Sequence, residues 1–148
     1  MFQKKTAGAI DRNRERARLR LGIEIQMPDA VLMRVRFASG AGDQASTNQS
    51  FDNLGEQKEV RFDQYFIQWT AKSTDEETVK LLAGRLQNPF WRVVSSDIVW
   101  DDDFNPEGFA QSAEWFSGRS LIFLNAIQMV ADEDEFTKDD QWMAGAQA

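Results

Sequence analysis

Cysteine and histidine are both absent from this 148-residue chain. Without cysteine it has no disulfide, no zinc–thiolate centre and no thiol nucleophile. Without histidine it lacks the commonest general base and the commonest metal ligand, which leaves carboxylates to hold any metal. No run of about 18 apolar residues occurs, so no membrane span is expected. Met1 to Ile10 lacks the apolar core of a secretory signal, and the default expectation is a cytoplasmic protein with no membrane contact. Phosphate-cradling glycine motifs are missing, and no serine or lysine has a recognisable activating partner. Asp101, Asp102 and Asp103 offer oxygens of the kind Mg²⁺ prefers. Adjacent residues of an extended segment point in opposite directions, however, so a solvated acidic turn is the expectation there. The chain reads as a non-enzyme with no cofactor and no metal.

What is present is aromatic and unevenly charged. Five tryptophans, eleven phenylalanines and an apolar content of 42% argue against a wholly disordered chain, and the length suits one domain. The net charge of −7 conceals a gradient: residues 1–36 carry +5, residues 37–96 carry −2 and residues 97–148 carry −10. A basic front and an acidic end mark a binding surface plus an acidic arm as readily as two solvated termini. The cationic field is local, so the net acidity does not exclude a polyanionic ligand.

Periodicity supplies the elements. Residues 17–27 alternate without a break, with Ala17, Leu19, Leu21, Ile23, Ile25 and Met27 on one face and Arg18, Arg20, Glu24 and Gln26 on the other. This is a strand signal. Pro28-Asp29 makes a turn. Val31, Met33, Val35 and Phe37 then alternate with Arg34 and Arg36 in a second strand. The two are expected to pair as a hairpin with the odd-numbered apolar residues packed inward. Residues 39–57 form a long polar loop, and loops of this length are usually mobile or functional. A third strand at about 58–71 changes phase near Gln64, which suggests a β-bulge. Thr74 with Glu77 resembles a capping box, and Val79, Leu82, Ala83 and Leu86 have helical spacing, so a helix is expected over 75–87 and ended by Asn88-Pro89. A fourth strand over Phe90–Trp100, an acidic excursion over 101–117 and a final strand over Gly118–Val130 complete the order.

Five strands with a helix between the third and fourth is the order of the OB fold, a five-stranded Greek-key barrel. An open α+β antiparallel sheet is the structural alternative. The division expected is a basic arm at 1–16, an OB-like domain at 17–131 and an acidic flexible tail at 132–148. On this scaffold Arg18, Arg20, Arg34 and Arg36 form paired rows that could track phosphates. Exposed sheet faces also carry such charges in the ordinary way, and facing like charges need a polyanion or carboxylates to balance them. Tyr65, Trp69 and Trp91, beside Lys58, Arg61, Lys72 and Arg92, are candidates for base stacking. Most aromatic residues of any domain are core residues instead.

With Ser120 to Phe136, its basic and aromatic strands and its acidic, aromatic-containing end, the chain resembles the OB-fold single-stranded DNA-binding proteins of bacteriophages and bacteria. The resemblance implies sequence-nonspecific protection of single-stranded DNA in replication and recombination, with RNA as the other candidate ligand. It also implies a tail that competes with DNA and recruits replication or recombination proteins through Asp132, Glu133, Asp134, Glu135, Phe136, Asp139, Asp140 and Trp142. The tail departs from that pattern by continuing through Met143 to Ala148. A homo-oligomer is compatible with this reading. The alternative is a non-enzymatic phage structural or assembly protein, such as a decoration, tail or adaptor subunit.

Overall fold

The computed structural model describes residues 15–40, 46–51, 54–93, 100–132 and 140–148. Among them the chain forms nine strands and no helix. These are β1 (Arg16–Ala17), β2 (Arg20–Met27), β3 (Val31–Ser39), β4 (Gln49–Ser50), β5 (Val60–Ser73), β6 (Glu77–Arg85), β7 (Glu107–Ser117), β8 (Ser120–Asp132) and β9 (Gln141–Gln147). Seven build one sheet in the order β2-β3-β5-β6-β7-β8-β9, and β1 pairs with β4 apart from it. Every neighbouring pair is antiparallel. The chain therefore runs up and down as an open meander. Its mainly β, antiparallel character agrees with the sequence, but the Greek-key OB barrel is not what forms.

The connections are segregated by length. Residues 28–30, 74–76 and 118–119 join strands at one end of the sheet, whereas 40–59, 86–106 and 133–140 join them at the other. We refer to these as the turn end and the loop end. At the turn end Asp29 and Ala30 both take φ 58°, the left-handed pair that matches a tight hairpin to strand twist.

Four expected segments are corrected by this meander. The segment read as helix 75–87 is strand β6. Its capping-box chemistry is real but closes a hairpin: Thr74 Oγ1 accepts the Glu77 N–H at 3.0 Å, and the Thr74 N–H donates to the Glu77 carbonyl at 2.8 Å. The apparent helical spacing arises because β6 is apolar on both faces, with Val79, Leu81 and Ala83 on one and Leu82 on the other. Phe90–Trp100, read as a strand, is irregular where described (90–93 and Trp100), and 94–99 lie outside the described residues. Meanwhile the excursion at 101–117 contains β7, and part of the segment read as tail, Gln141–Gln147, pairs with β8. The bulge expected near Gln64 is present: the register shifts between Arg36 and Phe37, so that Asp63 is the extra residue.

Gly84 and Gly108 face each other across β6 and β7, at φ +125° and +152°. A Cβ on Gly84 would lie 2.3 Å from the Tyr65 carbonyl oxygen, and one on Gly108 would lie 2.0 Å from that of Gln128. Such glycine pairs let a sheet bend sharply. Gly84→Ala should therefore cost more than about 1 kcal/mol. Gly22→Ala, whose Cβ would meet nothing closer than 3.8 Å, should stay within about 0.5 kcal/mol in the same denaturant titration.

The distribution of side chains between the two faces is inverted relative to a water-soluble domain. Register rows place Ile25, Met33, Ile67, Ala83 and Phe109 side by side on one face, with Met27, Val31, Trp69 and Leu81 in the next row. This apolar face is the exposed one: Leu21 is 62% exposed, Ile23 54%, Phe62 59%, Ile122 58% and Trp142 55%. Asp63, Gln64, Asp103, Asn105 and Asn125 are buried instead. The expectation that the odd-numbered apolar residues of β2 and β3 pack inward is therefore wrong. Alternation establishes that two faces differ, not which of them meets water.

Candidate functional site: a charged inner wall

The face opposite the apolar one carries Arg20, Glu24, Arg34, Arg36 and Gln64 on β2, β3 and β5, and onto it fold the described residues of segment 86–106, namely 86–93 and 100–106. The base of that segment closes where the Leu86 N–H donates to the Pro106 carbonyl at 3.0 Å. Leu86, Ala110, Ile127 and Met129 are buried there, with Phe66, Leu82, Phe90, Trp100 and Phe104 packed around them. Trp100 and Phe104 stack at 5.4 Å. Phe90 reaches as far as β9, where its ring would lie 3.0 Å from any Cβ added to Gly145. Beside it the Trp91 N–H donates to Gln147 Oε1 at 2.7 Å, and Gln147 Nε2 donates to the Trp91 carbonyl at 2.9 Å.

The other end of the segment is held by charge. Asp103 accepts from Arg18 at 2.8 Å and from Arg20 at 2.6 Å, and its carboxylate also faces the Thr47 N–H. Asn105 donates to Asp63 at 2.9 Å and accepts from Gln64 at 2.8 Å. Asp63 in turn takes the Arg36 Nε at 2.6 Å and lies 3.5 Å from the Arg20 Nε. A bulge can re-aim a side chain. Here it leaves neighbours Asp63 and Gln64 both buried, although regular alternation would have put one outside. Arg20 thus bridges two carboxylates, one from the wall and one from the overlying segment. Arg18 also donates to Asn48, so both long connections are tied to the start of β2. Asp103 is therefore a buried ion-pair partner and not a solvated turn residue.

The remaining predicted residues scatter. Arg34 pairs with Glu24, directly across β2 and β3, and lies over the Phe66 ring. Arg61 pairs with Glu59, Lys58 with Glu56, Lys72 with Glu77 and Arg92 with Asp102. Tyr65 and Trp69 belong to the exposed apolar face, whereas Trp91 and Arg92 are in the segment on the opposite side, so the two favoured tryptophans share no surface. Asp132 ends β8, Asp140 precedes β9, and Trp142 is an exposed residue of β9. Glu133, Asp134, Glu135, Phe136 and Asp139 lie outside the described residues, as does the basic arm up to residue 14. The described arginines of the expected phosphate track are matched to carboxylates of the chain itself. No group of three or more acidic residues placed to hold a metal occurs among the described residues.

The apolar face has its own polar exception. Gln111 and Gln128 sit on it across β7 and β8, and each amide donates to the other, at 3.0 and 3.1 Å. Burying an amide without a partner costs free energy, so mutual pairing is the arrangement an apolar surrounding favours. At the borders of the face lie paired charges, Arg85 with Glu107 at 2.9 Å toward the loop end and Lys72 with Glu77 at the turn end. The apolar stretch also slides along the register. The row Ile23–Val35–Tyr65–Arg85–Glu107 begins in the middle of the stretch on β2 and reaches its charged border on β6 and β7. A level band crossing tilted strands has this form, as in a barrel wall.

A family model described as "Putative porin" matches residues 5–148. No curated protein and no solved structure matches the chain. The family match, with the exposed apolar face, overturns the resemblance to OB-fold single-stranded DNA-binding proteins. With it fall the expected roles in replication and recombination, the nucleic-acid and tail partners, the cytoplasmic location, the absence of membrane contact and the alternative of a phage structural subunit. The physical source of the error is plain: alternating strands with a charged face serve a lipid-embedded wall as well as a phosphate track. Matched over nearly its whole length, the chain belongs to the putative porin family.

Proposed function

We propose that this chain contributes a stretch of wall to an outer-membrane β-barrel pore, with its apolar face against lipid and its charged face toward a water-filled path. The observation that carries the reading is the inversion of burial. A contiguous exposed face of Leu, Ile, Val, Phe and Trp is the kind of surface that marks a membrane or partner contact. Strands of 7 to 14 residues in the main sheet suit a hydrocarbon core crossed by about 9–11 tilted residues. Backbone groups in lipid must be satisfied within the sheet, and an antiparallel meander does this for every internal strand. Short turns at one end and long loops at the other match the periplasmic and extracellular sides of such barrels. The described residues of segment 86–106, held on the inner face, narrow the path.

Depth-dependent quenching tests this directly. In vesicles containing brominated lipid, variants retaining only Trp69 or only Trp115 should be quenched strongly, and a variant retaining only Trp100 should not. Equal quenching of all three, or a chain that stays monomeric in detergent-free buffer, would defeat the proposal.

A further inference from the structure

The inner wall holds more positive charge than it displays. Arg18 and Arg20 both turn to Asp103, while Arg20 and Arg36 turn to Asp63. Asp63 belongs to the wall, but Asp103 belongs to the segment laid over it. Exposure is divided unequally within this group: the Arg18 and Arg20 side chains are 37% and 27% exposed, and that of Asp103 is 7%. Ions moving along this face would therefore meet the arginines first, with their field cancelled from behind by a covered carboxylate.

The geometry points to Asp103 as a residue that determines charge selectivity, by masking Arg18 and Arg20 on the permeation path. This rests on the pore reading above. Asp103 contributes little surface to the path, at 7% exposure, and acts by charge. A unit charge about 7 Å from an ion in water changes its energy by about RT. Removing the mask disfavours a cation and favours an anion by about that much each, and should therefore shift the cation-to-anion permeability ratio roughly sevenfold toward anions. The shift should shrink as salt rises from about 0.1 M to 1 M, because the screening length falls from about 10 Å to 3 Å.

The test is the reversal potential of the full chain in planar lipid bilayers under a KCl gradient. Asp103→Asn should move selectivity toward anions, Arg20→Gln and Arg18→Gln toward cations, and the double variant R20Q/D103N back to the wild-type value. If Asp103 served only to hold the segment in place, D103N and R20Q would both release it and would shift selectivity the same way. That outcome, or an unchanged reversal potential in all variants, overturns the inference while leaving the pore intact. Absence of any conductance from the wild-type chain overturns the pore reading itself, and the inference with it. Should D103N fail to insert, R18Q and R20Q carry the same test with the opposite sign.

Discussion

Ile67→Arg should destabilise the folded sheet in lipid by about 2–4 kcal/mol, the cost of a cation near the bilayer midplane of a barrel wall. Ile67 is 44% exposed, and in a water-soluble domain such a substitution would stay within about 0.5 kcal/mol. The two accounts of the fold thus differ several-fold on one residue. Its neighbour in sequence provides the control. Gln68 lies on the opposite face of β5, across from Leu32 and Leu82, and Gln68→Arg should cost about 1 kcal/mol or less. Urea titration in phospholipid vesicles, followed by tryptophan emission, reads both. Equal and small effects would remove the apolar face from the membrane.

Asp63→Ala should be the most damaging change on the inner side, at about 3 kcal/mol, because removing one partner of a buried ion pair leaves the other uncompensated. Asp63 is 5% exposed and serves Arg36, Asn105 and, at longer range, Arg20. Its loss also removes an anchor of segment 86–106, so limited proteolysis within that segment should accelerate. Asp63→Asn keeps an acceptor for Asn105 while losing the charge, and should fall between the wild type and the alanine variant in the same titration. An alanine variant as stable as the wild type would show that the network is incidental.

Much of the sheet was legible from residue order. Strict alternation in β2 and β3 located a hairpin, and the phase slip at Gln64 located the bulge that buries Asp63. Other elements left weaker traces. β6 is apolar on both faces because Leu82 packs under segment 86–106, and its pattern therefore drifts toward helical spacing. β7 and β9 rely on Ala, Gly, Ser and Gln, whose alternation is faint, and they are fixed by pairing with β8. The arginine rows were visible, but their partners were not. Asp63 and Asp103 are 40 residues apart in sequence; sheet pairing and its bulge bring Asp63 to Arg20, and the return of residues 100–106 onto the sheet brings Asp103. The reading of the outward face failed for a different reason. Periodicity is blind to the solvent, and lipid reverses the meaning of an apolar stripe.

The directions of the edge strands bear on how such a wall can be completed. β2 and β9 both run from the loop end to the turn end, because an odd number of strands separates the two free borders from each other's sense. Rolling the sheet so that these borders touched would join two strands running the same way, and so would a ring made of two walls related by rotation about its axis. Antiparallel completion demands an odd number of added strands, giving the even totals usual in such barrels. Each border left open in hydrocarbon exposes unpaired backbone groups at several kcal/mol apiece. Strand sense alone thus constrains which rings this wall can enter.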